Sequence, residues 1–346
     1  MNIAGIAVHQ DSKAFLIAEI GHNHQGNVKQ CIQMIQAAGE AGASAVKLQK
    51  RNNRELFTKK AFDEPYNSEN AFGPTYGLHR EALEFSKSDY LLCIAAAKEA
   101  GVLFFATAFD FLSADFLLEL DVPAFKIASG DLRSIQLIEY VSKMGRPIII
   151  STGGASMPNI DRAVEISTAV NDNVALLQCT AGYPPLHSEI DLRVIQTYSA
   201  RYPGVTVGYS GHDSGIAISA AAYALGARVI EKHFTLNRAM KGTDHAFSLE
   251  PAGFKKLRRD LDRIHEALGD GVKKSYPSEQ APVRKMSKMI VAARRIEGGE
   301  LITPSDITFK SPCDGLSPYQ ANLVIGKRTL NSILEDEPIL IENLSE

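Results

Sequence analysis

The chain has 346 residues, 45% of them hydrophobic and 22% charged, with a formal net charge of -3. That length suits one large barrel or doubly wound domain plus a small partner. The near-neutral charge gives no ground for nucleic-acid binding, so an anionic substrate must be met by locally placed Lys and Arg.

No apolar run approaches the ~20 residues that span a bilayer, and the start MNIAGIAVHQDSK lacks the basic and apolar regions of a secretory signal. Cys31, Cys93, Cys179 and Cys313 are scattered without paired metal-site spacing. A cytoplasmic, reduced protein with no membrane partner is expected.

Residues 15–20 (FLIAEI) read as a first barrel strand, preceded by a short hairpin that would close a barrel bottom. After GHNHQGN, residues 28–41 have helical periodicity up to Gly42. AVKLQ is strand two, with Lys47 and Gln49 on one face by the two-residue period. The insertion from Lys50 to about Phe85, rich in Asn, Tyr and charge, is long enough to be functional, and its aromatics suit a lid. Ser88 opens the next helix, ended by Gly101.

VLFFAT, PAFKIAS, RPIIIST, VALLQCT, VTVGYS and RVIEKHF follow as strands three to eight, separated by helical patterns, and the last helix stops at Gly269. Eight strands alternating with eight helices predict an α/β fold, a (β/α)8 TIM barrel over residues 1–269. No Gly-x-Gly-x-x-Gly turn supports a dinucleotide fold. Residues 270–283 read as a linker, and 284–346, with MIVAARRI, ITFK, RTL and PILI, as a small β-rich domain.

In such a barrel the chemistry gathers at the C-terminal strand ends. There the sequence places Glu19, Lys47, Gln49, Thr107, Lys126, Ser129, Ser151, Thr152, Thr180, Ser210, His212, Glu231 and His233. An unpaired buried ammonium costs several kcal/mol, so Lys47 and Lys126 call for an anion, either Glu19 and Glu231 or a phosphate or carboxylate ligand held with Ser129, Ser151 and Ser210. His212 and His233, at the ends of successive strands with Glu231 and Asp244 close in sequence, could hold a divalent metal with open positions. The residues alone thus predict a metal-assisted reaction on an anionic, phosphorylated small molecule.

AEIGHNHQGN, VKLQ, FKIASGD, STGGAS, QCTAGYP, GYSGHDSGIAISAAAYALGA, EKHFTLNRAMKGTDHAFSLEP and the C-terminal GKRTL together resemble the sialic acid synthase family, in the same order over nearly the whole chain. The resemblance implies a barrel followed by an antifreeze-like SAF domain. It implies a metal-dependent condensation of phosphoenolpyruvate (PEP) with N-acetylmannosamine, or a related or 6-phosphorylated N-acetylated hexose, to a sialic-type acid and phosphate. It places a divalent ion, Mn2+ first and Mg2+ or Co2+ as alternatives, on His212 and His233. PEP falls to Lys47, Thr107, Lys126, Ser129, Ser151 and Ser210; the sugar to Gln49, Tyr183 and Asp244; proton and water handling to Glu19 and Glu231, with His212 at the reacting centre. A domain-swapped homodimer is implied as well.

Two positions depart from bacterial members: Ala181 stands where an Asn helps hold PEP, and Ser311 where an Arg reaches a partner's sugar. Both departures and the insertion resemble animal-type members, which take a phosphorylated sugar. A legionaminic- or pseudaminic-type synthase acting on a diacetamido-trideoxy hexose is the alternative. A metal-dependent hydrolase would want further ligands, and a carbohydrate-binding protein would not explain two lysines and two histidines at barrel strand ends.

Overall fold

The computed structural model describes residues 1–345, and the chain divides into two compact units, Met1–Gly269 and Asp270–Glu346. The first opens with a hairpin of β1 (Asn2–Ile3) and β2 (Ile6–Ala7). Ile3 and Val8 are buried, and the Met1 ammonium donates to Thr206 Oγ1 at 3.3 Å. Thr206 begins a barrel strand, so the hairpin closes the N-terminal end of the barrel.

The barrel strands are β3 (Phe15–Gly21), β4 (Ala45–Lys50), β5 (Leu103–Ala108), β6 (Phe125–Ile127), β7 (Ile148–Ser151), β8 (Val174–Cys179), β9 (Thr206–Gly211) and β10 (Val229–His233). They pair in parallel in chain order, and β10 closes on β3. Every residue of β3, β7, β8, β9 and β10 is buried. That is the physical reason for their apolar stretches: both faces of a parallel strand are covered, one by helices and one by the barrel interior.

The helices begin on side-chain caps. Asn27 accepts from the amides of Lys29 and Gln30 ahead of Val28–Glu40, and Asp110 accepts from Ser113 N ahead of Phe111–Glu119. The helix placed at Ser88 instead starts at Lys87, because Ser86 forms a capping box with Asp89. The insertion is more ordered than a loop. It holds short helices Asn53–Leu56, Lys59–Asp63 and Tyr76–Glu81, packed through the rings of Tyr66, Tyr76 and His79. Gly26, at φ 72°, lets the GHNHQG turn meet it: a Cβ there would lie 2.3 Å from the Ala82 carbonyl oxygen.

In the second unit, β11 (Met289–Ala292) and β12 (Ile307–Lys310) form an antiparallel pair. Ile290, Ile296, Ile302, Val324, Ile333 and Ile339 make its core. The RTL and PILI runs make single bridges instead of strands, Leu301 with Arg328 and Val291 with Pro338 among them. The segment read as linker already carries regular structure at its end, where Gln280–Met286 is helical. Among the described residues, no helix is long and apolar enough to cross a membrane.

Candidate active site

A cavity of about 510 Å³ opens at the C-terminal ends of the barrel strands. Glu19, Lys47, Gln49, Thr107, Lys126, Ser129, Ser151, Tyr183, Ser210, His212, Glu231, His233 and Asp244 all line it. Strand register explains the convergence. His233 pairs with Glu19 and Glu19 with Lys47, while Gln49 pairs with Thr107 and Thr107 with Lys126. Ser210 lies between Glu231 and Cys179. Parallel pairing thus carries polar side chains from seven of the eight strand ends to one mouth; at the end of β8 the Thr180 hydroxyl donates instead to the Glu189 carbonyl at 2.9 Å, and Cys179 lines the cavity.

Lys47 is the electrostatic centre. Its Nζ lies 2.6 Å from Glu19 Oε2 and 3.7 Å from Glu231 Oε1, and donates to Thr107 Oγ1 at 2.9 Å. Burial pushes the Glu19 carboxyl up, helped by the Glu231 charge, against the pull of Lys47. Burial also works to raise Glu231, but the Lys47 charge first, then that of Lys126, lead the groups that hold that carboxyl below its usual value. Neighbouring carboxylates are thereby driven apart, the arrangement that lets one hold a proton while the other accepts one. Among the described residues, Lys126 has no carboxylate within ion-pair reach. Its Nζ donates to the Ile127 carbonyl at 2.8 Å, and burial lowers its pKa. Ser151 Oγ and Glu231 Oε2 are buried without a hydrogen-bond partner, so this floor offers both donors and charge to a ligand. Ser129 Oγ is fixed by accepting from Gly153 N at 2.9 Å.

The His212 and His233 ring centroids are 5.4 Å apart. His212 Nδ1 meets the Thr180 carbonyl at 2.9 Å; a carbonyl only accepts, so a proton sits on Nδ1, and Nε2 is the nitrogen this ring can offer to a ligand when neutral. His233 Nδ1 is buried with no hydrogen-bond partner, 3.7 Å from Asp244 Oδ2, and burial followed by the His212 and Lys47 charges keeps the ring neutral. Two such imidazoles fit a divalent ion. Among the described residues no third His, Cys, Asp or Glu joins a metal cluster, so any further ligands would be water or substrate oxygens.

The sequence reading missed several contributors. Lys232, between the inward-facing Glu231 and His233, points outward, is buried, and lies 3.2 Å from Asp213 Oδ1, which also accepts from Tyr209 OH at 2.8 Å. This ties β10 to the turn that carries His212. His22, Arg51, Arg80, Phe109, Cys179 and Thr243 also line the cavity. Arg51 was legible in principle, since it continues the alternation Lys47, Gln49, Arg51. Arg80 was not, because it arrives on the insertion.

The sequence profile of the NeuB family matches residues 34–273, and that of the SAF domain residues 287–345. The chain belongs to the NeuB family. The N-acetylneuraminate-9-phosphate synthase of Homo sapiens is 40% identical over 329 residues, covering 95% of this chain and 92% of that protein. The N,N'-diacetyllegionaminic acid synthase of Campylobacter jejuni is 36% identical, covering 94% and 99%. Among solved structures, the N-acetylneuraminic acid synthetase of Leptospira borgpetersenii in complex with citrate superposes with a TM-score of 0.71 at 33% identity, over 82% of this chain and 94% of that one. As a member of the NeuB family with the SAF domain, the chain is a transferase-type acid synthase.

Proposed function

We propose that this enzyme condenses PEP with the open-chain form of an N-acetylated amino hexose, N-acetylmannosamine or a close derivative, releasing phosphate and a nine-carbon sialic-type acid. The observation that supports it best is the polarity of the cavity. Lys47, Lys126, Ser129, Ser151 and Ser210 bring cations and hydroxyls into the same cavity as His212, His233 and Asp244.

In this reading Lys47, Thr107, Lys126 and the three serines hold the phosphate and carboxylate of PEP. Tyr183, whose ring lies 4.1 Å from that of His212 at a 34° tilt, orients the acceptor with Gln49 and Asp244. A divalent ion on His212 and His233, Mn2+ first, would polarise the acceptor's aldehyde oxygen. Carbon 3 of PEP bonds to the aldehyde carbon, and Glu19 supplies the proton its oxygen needs. Glu231, beside Ser210 at 3.3 Å, takes a proton from the water adding at carbon 2. The tetrahedral intermediate then expels phosphate by C–O cleavage. Removing bulk water strengthens each of these charge contacts.

The test is phosphate release from PEP with a divalent ion present and the sugar added or withheld. Release only with sugar supports the reading; equal release without sugar makes the protein a hydrolase and ends it. The 36% identity to a diacetyllegionaminic acid synthase over 99% of its length favours a diacetamido-trideoxy hexose as the second acceptor to screen. We also propose a cytoplasmic homodimer, which a single-chain mass in sedimentation equilibrium would overturn.

A further inference from the structure

Beyond the residues that would serve PEP, the cavity wall carries two guanidinium groups that no carboxylate neutralises. Among the described residues, neither Arg51 nor Arg80 has an acidic side chain within ion-pair distance of its guanidinium. The acidic groups around them are engaged or turned elsewhere. Glu84 pairs with Lys50 at 2.8 Å and accepts from the Arg51 amide, not its side chain. Glu19 pairs with Lys47.

Instead the two arginines converge on one ring. Arg51 NH1 lies 3.1 Å from His22 Nε2, and Arg80 NH1 lies 3.2 Å from His22 Nδ1. Burial first, then the two arginine charges, keep His22 neutral. A neutral imidazole has one acceptor nitrogen and one N–H, so in either tautomer one guanidinium N–H faces another N–H. The cluster therefore has two positive charges, at least one unmatched donor, and no internal anion. Such a site is satisfied when an oxyanion takes up the spare donors.

Both guanidiniums are also held in place. Arg51 lies 3.6 Å over the Phe109 ring and donates to Gln49 Oε1 at 2.8 Å. Arg80 donates twice to the Tyr76 hydroxyl, at 3.2 and 2.9 Å. Gln49 in turn donates to Glu19 at 2.7 Å, which leads back to Lys47. The pair thus sits at the insertion side of the same cavity, separate from the Lys47 and Lys126 floor.

We infer that Arg51 and Arg80, bridged by His22, form a second anion subsite that receives the phosphate ester of a phosphorylated sugar acceptor. This rests on the proposed condensation: PEP occupies the lysine floor, so the second anion belongs to the other substrate. A 6-phosphate lies at the far end of an open-chain hexose from its aldehyde, and both arginines line the same cavity as His212 and His233.

The test compares N-acetylmannosamine with its 6-phosphate in wild type, Arg80→Gln and Arg80→Lys. Wild type is expected to favour the phosphate ester in kcat/KM, and Arg80→Gln to cut that preference roughly ten- to hundredfold. Arg80→Lys should keep part of it, and KM for PEP should change little. Calorimetry with the 6-phosphate, with and without PEP, reads the subsite independently of turnover. Ester binding that Arg80→Gln abolishes, without turnover of any sugar, would keep the subsite and overturn the condensation. Turnover in which wild type ignores the phosphate would keep the condensation and overturn the subsite. A rise in KM for PEP with the sugar preference intact would assign Arg80 to PEP and likewise overturn it.

Discussion

Replacing Lys47 with Met tests the electrostatic centre of the site. The side chain is 3% exposed and its partners Glu19 and Glu231 are 2% and 7% exposed, so Lys47→Met strands two buried carboxylates side by side. At an effective dielectric of about 20, opposite charges at the 2.6 Å separation of Lys47 and Glu19 attract by roughly 6 kcal/mol, much of it offset by desolvation. Breaking such a pair from one side costs about 3–5 kcal/mol. Proton uptake limits the loss, because the Glu19 pKa is already raised by burial and rises further once Lys47 is gone. The sign follows: a raised folded pKa leaves stability intact below the unfolded value of about 4.3 and removes it as pH climbs through the folded one. Urea unfolding should therefore show the Lys47→Met deficit growing from pH 5 to pH 8. Adding Glu19→Gln should recover about 2 kcal/mol or more. KM for PEP should rise roughly ten- to hundredfold in Lys47→Met. A loss below about 1 kcal/mol at pH 8, or an unchanged KM for PEP, would refute the reasoning.

Three further outcomes are expected. His233→Ala should abolish divalent-ion binding in calorimetry while far-UV circular dichroism stays that of the wild type; retained binding would move the metal elsewhere. Gly153→Ala places a Cβ 2.9 Å from Ser129 Oγ and 3.0 Å from Ala181 N, so it should cost about 1–3 kcal/mol and raise KM for PEP through Ser129. Wild-type values for both would contradict the packing argument. Asp131, pushed up to about 6 by burial against the pull of Arg51 and Lys126, is penalised when ionised. Asp131→Asn should therefore stabilise by about 1–2 kcal/mol at pH 8 and by almost nothing at pH 4, allowing for partial exposure. A difference independent of pH would show that burial is not the cause.

The barrel was legible because each strand is a largely apolar run with its polar residues toward the C-terminal end, and parallel pairing turns those ends into one surface. Lys47 and Lys126 stood out as charges inside such runs, and both reach the cavity. What the chain order hid was whatever depends on a long-range meeting. Arg80 lies 58 residues from His22 in sequence yet touches it, and no periodicity announces that contact. The insertion was read from its aromatics as a lid, but its short helices carry little pattern of their own. Lys232 was invisible for the opposite reason: its partner Asp213 lies outside the barrel interior, in the turn after β9. In the second unit the β-like runs overstate the strands, since RTL and PILI make only isolated bridges while MIVA and ITFK pair as a ladder.

The central claim is that the cavity joins PEP to a sugar and breaks the C–O bond of PEP. PEP carrying ¹⁸O in its bridging position, incubated with N-acetylmannosamine or its 6-phosphate and Mn2+, tests it most directly. The account predicts that the label leaves entirely with inorganic phosphate while a nine-carbon acid forms. Label retained in the acid, or labelled phosphate with no condensed product, would contradict it.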